Sequence, residues 1–253
     1  AFLDVVPGGI EIPQQHIYDP TRLASRRVID GLHTLDGFTF GDQEMLMPRW
    51  VFFDCGEFPG IVFGFGSLAK NLPPDLRQAY KVVDDDDADV FVPLSMWVAI
   101  RCAEEGAWFG HNLSSVNVVN HSVPIPGLAT ITKALGIVVA KARKQYGATQ
   151  WDSSSLNVHL SLGQMELLNA YTPAHTHSES FTYRIDVDTD RLLAPISGEC
   201  PRPQTGGDRF LDADDTAGMQ KLQHDLENGA RYCLHRVERR GDGANRLWLA
   251  RIA

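Results

Sequence analysis

The passage from Leu113 to Tyr146 limits what this chain can become more than any other. Leu113-Ser-Ser-Val-Asn-Val-Val119 is strand-like, with a β-branched end. It enters Asn120-His-Ser-Val-Pro-Ile-Pro-Gly-Leu-Ala129. Apolar residues then return at helical spacing: Ile131, Leu135, Val138, Val139, Ala142 and Tyr146. Lys133, Lys141, Lys144 and Gln145 sit on the other faces. The spacing predicts a helix over 128–146, stopped by Gly147 at the usual left-handed position. A strand feeding a long amphipathic helix through a short turn needs one common layer to bury both. That requirement points to an α/β or α+β protein.

The rest of the chain supplies the sheet. Aromatic and β-branched runs at 50–54 and 60–65, with turn residues at 55–59, predict an antiparallel hairpin. Further strands are expected at 90–92 with 95–100, at 107–119, at 164–170 and at 181–187, with a closing strand at 245–252. Asp19-Pro20 reads as a helix start leading into 21–32, and a second helix is expected over 216–233. Asp84-Asp85-Asp86-Asp87, with Asp89 beyond, reads as a solvated loop, because consecutive side chains of an extended run point to alternate faces. Residues 195–207, rich in Pro and Gly, read as a second loop. The expected architecture is a mixed, largely antiparallel central sheet flanked by helices. A core with an N-terminal arm would span 1–190, and a helix–strand extension packed on it 191–253.

Composition removes several function classes. A chain of 253 residues with 43% hydrophobic and 22% charged residues has enough apolar material for a folded core. Its net charge of −9 repels phosphate backbones, and the densest basic stretch, Arg236, Arg239 and Arg240, is broken by Glu238. Nucleic acid is not an expected partner. The longest apolar runs are too short to span a bilayer, so no membrane partner is expected, and the first residues carry no basic-then-apolar signal pattern. Four cysteines without a CxxC pair fit a reducing, cytoplasmic setting. A small-molecule substrate is the expected partner, and homo-oligomerisation is left open.

A strand entering a helix through a Gly-containing turn leaves backbone N–H groups unpaired at the helix N-terminus, where a phosphate can sit. Pro124 and Pro126 stiffen the approach, and Gly127 lets a ligand come close to the main chain. Here the sequence resembles the GNAT acyltransferases, whose acyl-CoA loop has the form Q/R-x-x-G-x-G/A between a central strand and a long helix. The window Pro124-Ile-Pro-Gly127-Leu-Ala129 matches the Gly and the Ala and carries Pro124 in place of the Gln/Arg. Beyond the helix, Gln150-Trp151 reads as strand. Ser155-Leu-Asn-Val-His-Leu-Ser-Leu-Gly163 is similar to the family's short helix A-x-x-x-Y-x-x-x-G, with His159 where many members carry tyrosine. Met165-Glu-Leu-Leu would be the next strand, and the similar region covers about 50–170.

The resemblance implies acyl transfer from acyl-CoA, as co-substrate, to an amine or other small nucleophile. Backbone amides of Gly127, Leu128, Ala129 and Thr130 would hold the phosphates, and an N–H at Val118 or Val119 would steady the oxyanion. His159 would be the acid, and His111 or His121 the base, directly or through water. Glu57 and Glu166 are weaker alternatives.

A second constellation is Tyr171-Thr-Pro-Ala-His175-Thr-His177-Ser-Glu179. Extended His-x-His puts both imidazoles on one face, and Glu179 adds a third ligand at period two, suiting iron, manganese or zinc. The segment looks somewhat like the first metal motif of cupins, although the glutamate follows too closely and no second motif is found downstream. The alternatives are therefore a cupin-like metal-dependent enzyme using His175, His177 and Glu179, or a non-catalytic small-molecule-binding protein. A resident metal is not the expected cofactor. Cys55 beside Asp54 reads as a buried thiol rather than a nucleophile.

Overall fold

A computed structural model describes residues 4–6, 9–11, 19, 22, 26–43, 45–57, 59–120, 124–172, 177–194, 197 and 209–252. It has two compact units, 1–101 with 111–140, and 102–110 with 141–253. The first holds the small antiparallel ladder β1 (Asp4–Val6) with β2 (Gly9–Glu11), then helices α1 (Arg26–Phe40) and α2 (Arg49–Glu57). Strand β3 (Gly60–Leu68), helix α3 (Pro74–Ala79), strand β4 (Phe91–Arg101) and strand β5 (Ala107–Ser115) follow. Strand β5 starts in the second unit and ends in the first, which also holds helix α4 (Leu128–Ala140).

In the first unit the strand order is β3-β4-β5, and α1, α2 and α4 pack on it. Leu32 and Leu35 of α1, Phe52 and Cys55 of α2, Val62 and Met96 of the sheet, and Leu128 of α4 belong to one buried cluster. A hydroxyl chain fixes where α4 begins. The Phe65 N–H donates to Ser95 Oγ (3.3 Å), Ser95 Oγ lies 2.6 Å from Thr132 Oγ1, and Thr132 Oγ1 donates to the Leu128 carbonyl (2.7 Å). With Thr132 donating onward, Ser95 must be the donor between the two hydroxyls, so every proton in the chain has one acceptor.

The second unit begins with β5 and adds β6 (Lys144–Gln150), α5 (Ser155–Leu160), β7 (Gly163–Asn169) and β8 (Ser180–Val187). Helix α6 (Thr189–Leu193), β9 (Arg209–Asp212), α7 (Thr216–Glu227), β10 (Arg231–Arg239) and β11 (Asn245–Ile252) complete it. Its strand order is β5-β6-β8-β7-β10-β11-β9. The β5–β6 pairing is parallel, from Ala107↔Lys144 to Gly110↔Gly147, and the other described pairings are antiparallel. A mixed, largely antiparallel sheet flanked by helices is therefore the fold class, as the sequence leads one to expect. Among the described residues no helix is long and apolar enough to cross a membrane.

Several expected elements are different. Residues 50–54 are not a strand but part of α2, which buries Phe52 and Cys55 at i and i+3 and leaves Trp50 exposed. The helix expected over 128–146 ends at Ala140, where Lys141 takes a left-handed φ of 51°. From Lys144 the chain pairs with β5 and β8, and Gly147 lies inside β6 beneath the Tyr183 ring instead of capping a helix. Sheet pairing overrides local helix preference here because two neighbouring strands offer ladder partners at once. The helix expected over 216–233 likewise stops at Glu227, and Cys233 lies in β10. The two strands expected between 90 and 100 are one, β4, and Asp85–Asp87 form a 3-10 turn.

Gln145, fully buried in β6, has no hydrogen-bond partner among the described residues for either amide atom. An unsatisfied buried amide costs about 1–3 kcal/mol. Gln145→Met, which keeps the shape and removes the polar atoms, is expected to raise the melting temperature in a thermal unfolding scan. A lowered melting temperature would mean that the amide bonds something, such as an internal water, that methionine cannot replace.

Candidate functional site

In the first unit, β5 carries polar residues inward. Ser115 ends it: its Oγ accepts from the Asn117 N–H (3.3 Å), which turns the chain into a 3-10 segment, Val116–Val118. The strand therefore stops short of Val119, where it was expected to end. The Val119 N–H donates to the Val116 carbonyl (2.9 Å) and is not available to an oxyanion, while the side chains of Val118 and Val119 are exposed. Asn117 then clamps the returning loop, its Nδ2 donating to the Ile125 carbonyl (2.7 Å) and its Oδ1 accepting from the Ile125 N–H (2.9 Å).

That clamp presents Pro124, Ile125, Pro126 and Gly127 to solvent. Gly127 has φ of 71°, a conformation that favours glycine, and a Cβ built there would touch nothing nearer than Ile131 Cδ1 at 3.9 Å. The Leu128 N–H makes a long bond to the Ile125 carbonyl (3.3 Å), and the Ile131 N–H bonds the Gly127 carbonyl. The N–H groups of Ala129 and Thr130 donate to no backbone carbonyl among the described residues, so α4 keeps two donors in its first turn.

His111 lies exposed on β5. Its Nδ1 is 2.9 Å from Asn112 Oδ1, and Asn112 Nδ2 donates to Asp36 Oδ1 (2.8 Å). Asp36 is fully buried on α1 and accepts two further bonds, from Ser114 Oγ (3.4 Å) and from the Met47 N–H (2.7 Å). Burial pushes its carboxyl pKa above the usual carboxylate range, while these donors and nearby His33 pull the other way. Sequence reasoning reached His111 but missed Asp36, Asn112 and Asn117. Asp36 did leave a signal, being a carboxylate four residues after Leu32 on the stripe that α1 buries.

Apart from Glu57, the remaining candidates lie in the second unit or outside the described residues. His159 is buried in α5 and stacks on Tyr183, with ring centroids 5.1 Å apart, and burial holds the Tyr183 hydroxyl well above its ordinary pKa. Glu166 binds Arg184 (2.5 Å) and Arg231 (2.9 Å); the Arg231 hydrogen bond does most to hold its carboxyl below the usual range, so it is a paired anion rather than a base. Glu57 lies on α2 in the first unit. His121 and His175 lie outside the described residues. His177 and Glu179 line a cleft of about 600 Å³ with Trp151, Asp152 and Asp214, and Glu179 accepts from Thr216 Oγ1 (3.5 Å). Among the described residues no three His, Cys, Asp or Glu side chains are grouped as a metal requires. Cys55 is buried, and desolvation, with Asp54 behind it, raises its thiol pKa.

No family model matches this chain, and no curated protein matches it. Among solved structures it is similar to the crystal structure of aminoglycoside 6'-acetyltransferase type Ii, at a TM-score of 0.40 and 10% identity. The match covers 68% of this chain and 95% of that one. A likeness of that degree transfers no residue's role from one chain to the other.

Proposed function

We propose that this chain is an acyltransferase that moves an acyl group from acyl-CoA to an amine or a comparable small nucleophile. The observation that carries the reading is the open turn at Pro124–Gly127 between β5 and α4. It is held outward by Asn117 and is followed by two first-turn N–H groups that bond no backbone carbonyl among the described residues. The order of elements supports it. Strand β5, a turn, the long helix α4, strand β6, the short helix α5 and strand β7 follow one another in the order that the GNAT resemblance implies. Donors at the start of α4, with the helix dipole, suit a pyrophosphate, and the exposed Val118, Val119 and Ile125 in the same loop suit the methyl and methylene groups of a pantetheine arm. His111 takes the proton of the attacking amine. The chain departs from the family pattern at Pro124, which offers no side-chain donor, so phosphate binding falls to the main chain.

A thermal-shift plate of CoA, acetyl-CoA and longer acyl-CoAs beside divalent cations tests the reading. Ligand at a hundredfold excess over its Kd stabilises by about 2.7 kcal/mol, which is roughly 5–10 °C for a chain of this size. A shift with CoA esters is the expected result. A flat response to CoA and all its esters counts against acyl transfer, and a shift with metal alone counts in addition for the alternative at His177 and Glu179.

A further inference from the structure

We infer that Asp36 and Asn112 act as a positioning pair that holds neutral His111 with its proton on Nδ1, so that Nε2 is presented as the proton acceptor. The inference follows from counting donors along one line of contacts. Every described partner of the Asp36 carboxylate is a donor: the Met47 N–H, the Ser114 hydroxyl and the Asn112 amide. In its ionised form Asp36 can only accept, and this fixes the Asn112 amide with its NH₂ turned toward α1. The atom left facing the imidazole is then Oδ1, which cannot donate. The 2.9 Å contact to His111 Nδ1 therefore requires the hydrogen on Nδ1. A neutral imidazole carries one N–H, so Nε2 keeps its lone pair. Free histidine in water prefers the opposite tautomer.

The arrangement orients without relaying a proton. An amide carbonyl does not take a proton from Nδ1, so the charge gained by His111 stays on the ring, steadied by the hydrogen bond to Asn112. The assignment of a role rests on the acyl-transfer reading. In that reaction the amine nitrogen bonds to the thioester carbon, the C–S bond breaks, and the proton lost by nitrogen moves to Nε2 and on to the leaving thiolate. The tautomer itself does not rest on that reading. Asp36 comes from α1, which lies 76 positions before Asn112, so a helix remote in sequence sets the state of the base.

Long-range 1H–15N spectra of the imidazoles in the 15N-labelled full chain, recorded in alkaline buffer where imidazole rings are neutral, read the tautomer directly. The protein has nine histidines, and the difference spectrum against His111→Gln identifies the ring. The expected result is an Nδ1 signal at the protonated position and an Nε2 signal at the unprotonated one. In Asn112→Ala the two should exchange positions, and in Ser114→Ala, which keeps the Asn112 bond, they should not. Nε2–H in the unaltered protein overturns the inference, whether or not any variant folds, and so does an Asn112→Ala spectrum identical to it. The expected tautomer in a protein that transfers no acyl group leaves the pair standing and removes the acyltransferase reading alone.

Discussion

Acyl transfer by His111→Ala protein is expected to be slower than that of the unaltered protein by about 10²–10⁴-fold, the range a positioned general base contributes. An amine acceptor reaches the enzyme mostly as an ammonium ion, and its nitrogen cannot attack a thioester until the proton is gone. His111 is exposed, so a small molecule can reach it, and its ring is held from behind by Asn112. Because the side chain is not part of the core, the substitution should move stability by no more than about 0.5 kcal/mol. Loss of rate with an unchanged melting curve separates a chemical role from a structural one. Release of free CoA thiol, followed with and without amine, gives the rate. A variant within threefold of the parent would remove His111 from the mechanism.

The largest structural effect is expected from Gly64→Ala in the middle of β3. A Cβ built on Gly64 lands on the Ser95 carbonyl oxygen and sits 2.9 Å from the Ser95 carbonyl carbon. Both are backbone atoms of β4, which cannot rotate away as a side chain would. The register shifts immediately beyond, with Phe65 opposite Ser95 and Gly66 opposite Pro93, so β4 bulges toward β3 where glycine permits it. Relief requires β3 and β4 to separate, which also strains the chain from Phe65 through Ser95 to Thr132. The cost should reach or exceed about 3 kcal/mol, the upper end for overpacking. That corresponds to a fall of roughly 6–12 °C in melting temperature. A drop under 2 °C would mean that the two strands do not approach so closely.

These two positions show what the sequence discloses and what it hides. Gly64 and Gly66 stand in an aromatic run as a pair of glycines, and glycine inside a strand marks a bulge or a close approach of another backbone. Strands β7, β8 and β11 were legible because Met165 and Leu167, Phe181, Tyr183 and Ile185, and Leu247 and Leu249 alternate with less buried neighbours. Strand β6 was hidden because its inward residues are Gln145, Gly147 and Thr149, which carry the period of two without the apolar signal that reveals it. Helix α2 was misread because Trp50, Val51, Phe52 and Phe53 are consecutive aromatic or β-branched residues, and only the burial of Phe52 and Cys55 discloses a helix. In the site, the Gly127 turn and His111 were legible from local chemistry. Asp36 left only its place on the apolar stripe of α1 as a signal; its pairing was not legible, because Asn112 is 76 positions away and no local pattern encodes a long-range hydrogen bond.

Titration of acetyl-CoA into the unaltered protein and into Gly127→Val, by calorimetry, addresses the open turn most directly. A β-branched residue at φ of 71° costs about 1–2 kcal/mol or more, and it puts a side chain where the main chain would meet phosphate. Saturable binding by the parent, abolished in a variant that remains folded, is the expected outcome. No heat from the parent, or equal affinity in both proteins, would contradict a pyrophosphate seat at the start of α4, and with it the acyltransferase.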